Sequence, residues 1–309
     1  MKLITYRQSD EAIRTGVVLP GNRVLQVSEW MASLTSSAEA NRHLQVAGVA
    51  PAGAGIVRWF QSGADALPVL AAYVALQLAD PATQFTSLKA LTLFAPVPRP
   101  GKIIGVGRNY ADHAKETGVQ PFETPRIIFK MASSVAAPGA PVPRPTSVTK
   151  MDFEAELAVV MGGYGKNVPE DEALALVGGY TILNDLSARE FQFDISPAQT
   201  TFAKSMDGFA PMGPWLVTPD EIADPQSLDV SCWLNGQQMQ HGHTSDMLFP
   251  VATLIAYVSR FMTLEPGDVI ATGTPAGIGA FRQPPVYLQP GDELRFEVSQ
   301  IGSMTHRIT

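Results

Sequence analysis

The sequence predicts a strand-rich α+β protein in which a small N-terminal α+β domain precedes a larger, mostly β domain. Three observations carry that expectation. After residue 101, short apolar or alternating runs recur, separated by Pro-Gly-Asp and Asn-Gly turns. Only Ser245 to Met262 keeps helical spacing there. Between the two parts, Pro96-Val-Pro-Arg-Pro-Gly101 cannot continue a helix or a central strand, so it reads as a stiff linker joining residues 1–95 to 102–309.

The elements follow in order. Leu3 to Tyr6, Thr15 to Leu19 and Arg23 to Val27 read as short strands, with Pro20-Gly21-Asn22 as a turn. Alanine-containing helices follow at Ser28 to Ala38, with Ser28 as N-cap, and at Ala64 to Leu78. No charged constellation lies in this part, and its expected role is structural. Beyond the linker, strands are expected at Ile103 to Gly107, Arg126 to Lys130, Phe153 to Met161, Gly179 to Asn184, Asp229 to Leu234, Asp268 to Thr272 and Glu293 to Val298. Asn235-Gly236 marks a type I′ hairpin. In the helix from Ser245, Leu248, Ala252, Ile255, Ala256 and Ser259 share a face, and Pro250 delays the start by about a turn. Glu265-Pro-Gly-Asp268 and Gln289-Pro-Gly-Asp292 each launch a strand.

Composition narrows the function classes. Hydrophobic residues make up 45% and charged residues 17%, which fits a well-packed globular chain. Net charge is −7 with no basic stripe, which argues against nucleic acid and against an anionic membrane surface. A single cysteine, Cys232, rules out an intrachain disulfide or a thiolate metal cluster. The N-terminus shows no secretory signal, and the apolar stretch from Val69 to Ala79 is too short to cross a bilayer. A reducing cytoplasm is the expected setting.

The most informative segment is Met151-Asp-Phe-Glu154-Ala-Glu156-Leu-Ala-Val-Val160. On a strand, Met151, Phe153, Ala155, Leu157 and Val159 point one way, and Glu154 and Glu156 the other. That second face continues as Ala158 and Val160, so both faces read as buried. Two adjacent buried carboxylates repel and are expensive to desolvate, so they need a cation. An edge strand with acids in water is the alternative, and the apolar continuation argues against it. Asp185, at the end of Thr181-Ile-Leu-Asn-Asp185, offers a third carboxylate. An all-oxygen set suits Mg²⁺ or Mn²⁺, with Ca²⁺ possible, and does not suit zinc or copper.

Further polar candidates lie around this set. If Asn109 to Glu116 is helical, His113 and Glu116 fall at i and i+3, the arrangement of a carboxylate-oriented general base, although a surface pair looks the same in sequence. Arg189 and Gln192 fall on one face after Asp185, and Lys204 sits among small and apolar neighbours. Thr272-Gly-Thr274-Pro-Ala-Gly277 is a glycine-punctuated turn suited to a carboxylate. Gly105-Val-Gly107 lacks the third glycine of a dinucleotide fingerprint, and His241-Gly-His243 lacks a third ligand. The segments Val119 to Thr124 and Asp194 to Gln199 are expected to shape a pocket.

Together, Asn109-Tyr-Ala-Asp-His113, Asp152-Phe-Glu-Ala-Glu-Leu157, Asn184-Asp-Leu-Ser-Ala-Arg189, Phe202-Ala-Lys204, Thr244-Ser-Asp-Met247 and Thr272-Gly-Thr-Pro-Ala-Gly277 resemble the fumarylacetoacetate hydrolase family, including its bacterial acylpyruvate hydrolases and 2-hydroxyhepta-2,4-diene-1,7-dioate isomerases. The resemblance covers about residues 100 to 309. It implies a mixed β-sandwich roll, a homodimer, Mg²⁺ or Mn²⁺ on Glu154, Glu156 and Asp185, and a role in aromatic catabolism. It also implies that His113 and Glu116 activate water, that Gln192 and Lys204 contact substrate, and that Thr274 holds its carboxylate. The animal fumarylacetoacetate hydrolases supply a further aspartate where this chain reads Val106-Gly-Arg-Asn109, so a substrate other than fumarylacetoacetate is expected.

The expected activity is metal-dependent hydrolysis of a carbon–carbon bond in an acylpyruvate-like 2,4-dioxo acid, passing through a pyruvate enolate held by the metal and Lys204. Oxaloacetate decarboxylation, isomerisation or hydration on the same site is the alternative, since one architecture supports several outcomes. A non-catalytic, metal-stabilised binding protein is the reading from a different class. The expected partner is a small 2-oxo acid.

Overall fold

The strand signals assemble into two stacked sheets in a computed structural model that describes residues 1–9, 12–34, 55–61, 66–116, 118, 120 and 122–309. The N-terminal part supplies β1 (Lys2–Arg7), β2 (Arg14–Leu19), β3 (Arg23–Gln26), β4 (Thr86–Ser87) and β5 (Thr92–Phe94). The remainder supplies β6 (Ile103–Gly107), β7 (Arg126–Lys130), β8 (Val135–Ala136), β9 (Met151–Asp152), β10 (Ala155–Met161), β11 (Val177–Asn184), β12 (Ser187–Ala188) and β13 (Ala210–Val217). These are followed by β14 (Asp229–Leu234), β15 (Gln237–His243), β16 (Val269–Ala271), β17 (Glu293–Val298) and β18 (Gly302–Arg307). Helices of the described residues are α1 (Ser28–Leu34), α2 (Gly55–Phe60), α3 (Ala66–Ala79), α4 (Ala111–Glu116), α5 (Thr200–Ala203) and α6 (Val251–Phe261).

The large sheet runs β4-β3-β2-β1-β13-β11-β10-β16-β6-β7, with β5 beside β1 and β8 beside β13. The second sheet runs β15-β14-β17-β18, and β9 pairs with β12. Strand β10 is the hinge of the packing. Phe153, Ala155, Leu157 and Val159 join one core with Val230, Cys232 and Phe296 of the second sheet and with Leu254 and Val258 of α6. Ala158 and Val160 join the opposite core with Leu3 and Leu216, and with Ile56 and Trp59 of α2 and Leu70 of α3. The alternation of the sequence therefore becomes a sandwich on one side and a helical cover on the other.

The N-terminal strands extend the large sheet. Lys2 and Leu3 pair with Val217 and Leu216 of β13, and Thr5 Oγ1 donates to the carbonyl of Pro96 in the proline-rich segment. Phe60 of α2 lies over Gly178 of β11, where a Cβ would meet its ring at 2.5 Å.

Some boundaries differ from expectation, each for a local reason. Strand β13 was not anticipated, because Pro211, Gly213 and Pro214 disguise it. Strand β18 was not anticipated either, because its buried positions, Met304 and His306, include one polar residue. Helix α6 starts at Val251 behind Pro250, one turn after the Thr244–Asp246 turn. The Asn235-Gly236 turn forms as expected, with φ of 51° and 83°. The expected helix from Ser28 is described to Leu34, and its continuation to Ala38 lies outside the described residues. Among the described residues, no helix is long and apolar enough to cross a membrane.

The tight seat of Phe60 gives a test. Gly178→Ala should cost about 1–3 kcal/mol through overpacking, read as a lower urea midpoint. An unchanged midpoint would show that Phe60 does not occupy that space.

Candidate functional site

The glutamate-bearing strand is interrupted, and the interruption builds the site. Glu154 N–H donates to Asn184 Oδ1 at 3.1 Å, and Ala155 N–H to Gln240 Oε1 at 2.9 Å, so Phe153 and Glu154 leave the ladder between β9 and β10. The side-chain alternation survives. Glu154 and Glu156 face the same way and are 6% and 2% exposed. Asp185 follows β11 and donates its N–H to the Glu154 carbonyl at 2.9 Å. One carboxylate oxygen from each of Glu154, Glu156 and Asp185 lies within 4.8 Å of the others.

Three buried cations stand against these acids. Lys204 Nζ donates to Glu154 Oε2 at 2.8 Å and Asp185 Oδ2 at 2.6 Å. Lys130 Nζ donates to Asp185 Oδ1 at 2.6 Å and also to the Lys204 carbonyl. Arg189 donates from Nη2 to Glu154 Oε1 at 2.6 Å and from Nε to Asp152 Oδ2 at 2.9 Å. With all groups ionised, four buried carboxylates, Asp152 included, face three cations. One negative charge is in excess, and it falls on Glu156, whose hydrogen bond comes from Gly273 N–H at 2.9 Å.

The acidities follow from that imbalance. Burial would raise the Glu154 carboxyl, but Lys204 and then Arg189 overturn this and hold it well below the usual carboxylate range. Burial, then Asp185 and Glu154, push Glu156 well above it. Burial lowers Lys130, with Asp185 opposing, whereas at Lys204 Asp185 and Glu154 outweigh burial and raise it.

His113 sits in the wall of the same cavity, with Glu116 behind it. Helix α4 brings His113 Nδ1 within 3.0 Å of Glu116 Oε2, and Glu116 Oε1 accepts from Gly277 N–H at 3.0 Å. Asp152 fixes the next turn of that loop by accepting from Gly279 N–H at 2.8 Å and Ala280 N–H at 3.0 Å. The cavity, about 170 Å³, is lined by the three acids, His113, Arg189, Gln192, Lys204 and Thr274, among others. All nine residues singled out in the sequence come together, because Glu116 orients His113 from just behind the wall.

The details assign each polar atom a direction. Arg189 spends its donors on Asp152, Glu154 and Gln192, so its bonds run to the protein. Because a guanidinium only donates, the Gln192 atom facing Arg189 Nη1 at 2.8 Å is its oxygen, and the amide nitrogen is left for another acceptor. Thr274 gives its hydroxyl proton to the Ala155 carbonyl and accepts from Gln240, so a substrate carboxylate would have to compete for that hydroxyl. Asn184, whose oxygen serves Glu154, donates from Nδ2 to His306 Nε2 at 3.1 Å. Burial lowers His306 to about 4, so its ring is neutral, with the proton on Nδ1. His241 and His243 bond to Ser231 and Ser245 instead.

Sequence reasoning missed Lys130, Asp152 and Asn184 as members of this cluster. A lysine ending the Arg126–Lys130 strand reads as solvated until the strand is placed beside Asp185.

Donor set and charge both fit a hard divalent ion. The three carboxylate oxygens, each within 4.8 Å of the others, make the all-oxygen donor set that such an ion takes. A 2+ ion together with one substrate carboxylate would cancel the buried excess charge.

The family model described as "Fumarylacetoacetate (FAA) hydrolase C-terminal" matches residues 102–309. The human protein named oxaloacetate tautomerase FAHD2A, mitochondrial, is 44% identical over 218 residues, covering 71% of this chain and 69% of its own. Maleylpyruvate hydrolase from Sphingobium sp. SYK-6, solved in complex with manganese(II) and pyruvate, superposes with a TM-score of 0.76 at 28% identity, covering 100% of this chain and 99% of its own. Fumarylacetoacetate hydrolase from Exiguobacterium antarcticum gives 0.79 at 34% identity, over 100% of this chain and 99% of its own.

The charge imbalance sets a pH dependence. A buried acid with a raised folded value weakens the fold as pH climbs from its ordinary 4.5 toward that raised value, because the unfolded chain ionises first. Mn²⁺ or Mg²⁺ should therefore raise the melting temperature more at pH 8 than at pH 6. Glu156→Gln should stabilise the metal-free protein at pH 8 and abolish the metal-induced rise. A rise of equal size at both pH values, retained in the variant, would contradict this.

Proposed function

We propose that this chain, which belongs to the fumarylacetoacetate hydrolase family, is a divalent-metal-dependent hydrolase that cleaves a carbon–carbon bond in an acylpyruvate-like 2,4-dioxo acid. The observation that carries this reading is the His113–Glu116 pair, fixed by Gly277 N–H in the wall of the cavity that holds the three carboxylates. Glu154, Glu156 and Asp185 would hold Mg²⁺ or Mn²⁺, which supplies Lewis-acid polarisation of the 2-oxo acid head.

The chain's own groups account for the remaining chemistry. Glu116 engages Nδ1 of His113, so Nε2 is the ring atom that takes a proton from water. The resulting hydroxide adds to the distal carbonyl. The Gln192 amide nitrogen, aimed by Arg189, donates to the oxygen that gains charge there. The bond between that carbon and the methylene then breaks. Its electron pair stays with the pyruvate half, and the histidine returns its proton to the methylene carbon. Lys204 has used two of its three donors on Glu154 and Asp185, and the third serves an oxygen of the pyruvate half. Water is consumed, and pyruvate leaves with a carboxylic acid, which gives its proton to solvent and becomes the carboxylate.

A second reading is favoured by one observation, the 44% identity to oxaloacetate tautomerase FAHD2A. Keto–enol exchange of oxaloacetate would use His113 to move a proton between C3 and the enol oxygen, with no hydrolytic water.

Loss of acylpyruvate absorbance, coupled to pyruvate detection, tests the proposal. Wild type with Mn²⁺ or Mg²⁺ should release pyruvate, and His113→Ala should lower kcat by about 100-fold or more. Glu116→Gln should lower it less, since the base remains but loses its orientation. Rapid decay of enol-oxaloacetate with acylpyruvates untouched would replace hydrolysis with tautomerisation.

A further inference from the structure

Two arginines line the cavity without a carboxylate partner among the described residues. Arg108 directly follows β6, and Arg126 opens β7. The β6–β7 ladder sets Gly107 opposite Arg126, so the two guanidinium-bearing residues leave adjacent strand ends. A Cβ at Gly107 would meet Arg126 Cδ at 3.4 Å, so the arginine stem runs over that glycine. Both guanidinium groups stand over one ring, with Arg108 and Arg126 Cζ 5.7 and 6.0 Å from the centroid of Phe122. Both residues are half-buried.

This arrangement costs stability as it stands. Burial and then the neighbouring Arg126 charge lower the pKa of Arg108 from its ordinary value. Arg108 also holds φ at 57°, a left-handed conformation unusual for a residue with a side chain. Among the described residues, neither arginine lies within ion-pairing distance of an acid, although the chain has seven more acidic than basic residues. A pair of like charges, partly desolvated and facing a cavity, calls for an anion in that cavity.

We propose that Arg108 and Arg126 form the subsite for a distal carboxylate, so that the substrate is a dicarboxylic 2-oxo acid rather than one with a neutral tail. The inference rests on the 2-oxo acid reading above, in which the three acids and Lys204 take the opposite end of the same molecule. The planar guanidinium of each arginine suits bidentate contact with a carboxylate. Phe122 keeps the two groups together and dry on one side.

The test compares substrates and ligands that share a head and differ in the tail. The ratio of kcat/KM for maleylpyruvate over acetylpyruvate should fall roughly 10–100-fold in Arg126→Gln and in Arg108→Gln, with partial recovery in Arg126→Lys. Binding of unreactive 2-oxoglutarate and 2-oxobutyrate to the Mn²⁺-loaded protein, followed by calorimetry, gives a readout independent of turnover. Wild type should prefer 2-oxoglutarate, and both glutamine variants should lose that preference. Loss of the binding preference in a protein that hydrolyses no acylpyruvate would retain the subsite and remove the hydrolase reading. Equal wild-type affinity for the two ligands, or ratios unchanged in the variants, would overturn the subsite.

Discussion

A cluster of carboxylates inside the protein is tolerable only if every negative charge meets a donor, and the surrounding structure is arranged to meet that demand. Lys204 bridges Glu154 and Asp185, Lys130 holds the other Asp185 oxygen, and Arg189 ties Glu154 to Asp152. Backbone N–H groups supply the rest, from Gly273 to Glu156 and from Gly279 and Ala280 to Asp152. Without these partners each acid would take up a proton, and the cluster would lose its attraction for a cation. The fold is thus less a container for the site than a supply of donors to it.

The donors come from distant parts of the chain. Lys130 ends an edge strand, Lys204 follows a single helical turn, and the glycine amides belong to the loop after β16. That loop is bonded on two sides, by Asp112 and Glu116 from α4 and by Asp152 from β9. The His113–Glu116 pair and the acidic cluster are therefore held by one loop, although the helix that carries His113 makes no ladder bond with β10. Residues of the loop itself contribute mainly backbone, which is why it reads in sequence as a glycine-rich turn and little more.

How much was legible depends on whether a residue declares itself locally. Glu154 and Glu156 did, because charge interrupts an apolar alternation whose two faces enter two different cores. Asp185 did, at the end of an apolar strand, and His113 with Glu116 did through helical spacing. Lys130 and Asp152 did not, since a lysine or aspartate at a strand end looks solvated until its neighbours are known. Arg108 and Arg126 stand 18 positions apart in the sequence, and only the β6–β7 ladder makes them a pair. Strand β13 was hidden by its prolines, although it is the strand that joins the N-terminal sheet edge to the rest.

The bond from Asn184 to His306 crosses from one sheet of the sandwich to the other. Each atom in it has a fixed direction, because Asn184 gives its oxygen to the Glu154 N–H and its nitrogen to a neutral imidazole stacked on Phe296. The backbone beneath a candidate metal ligand is thereby tied through Asn184 to a histidine 122 positions beyond that asparagine. The alignment of the two layers is registered at this bond and at the one from Ala155 N–H to Gln240. Sliding of one sheet over the other would reach the carboxylate cluster as a change in the heading of Glu154, before any core contact was lost.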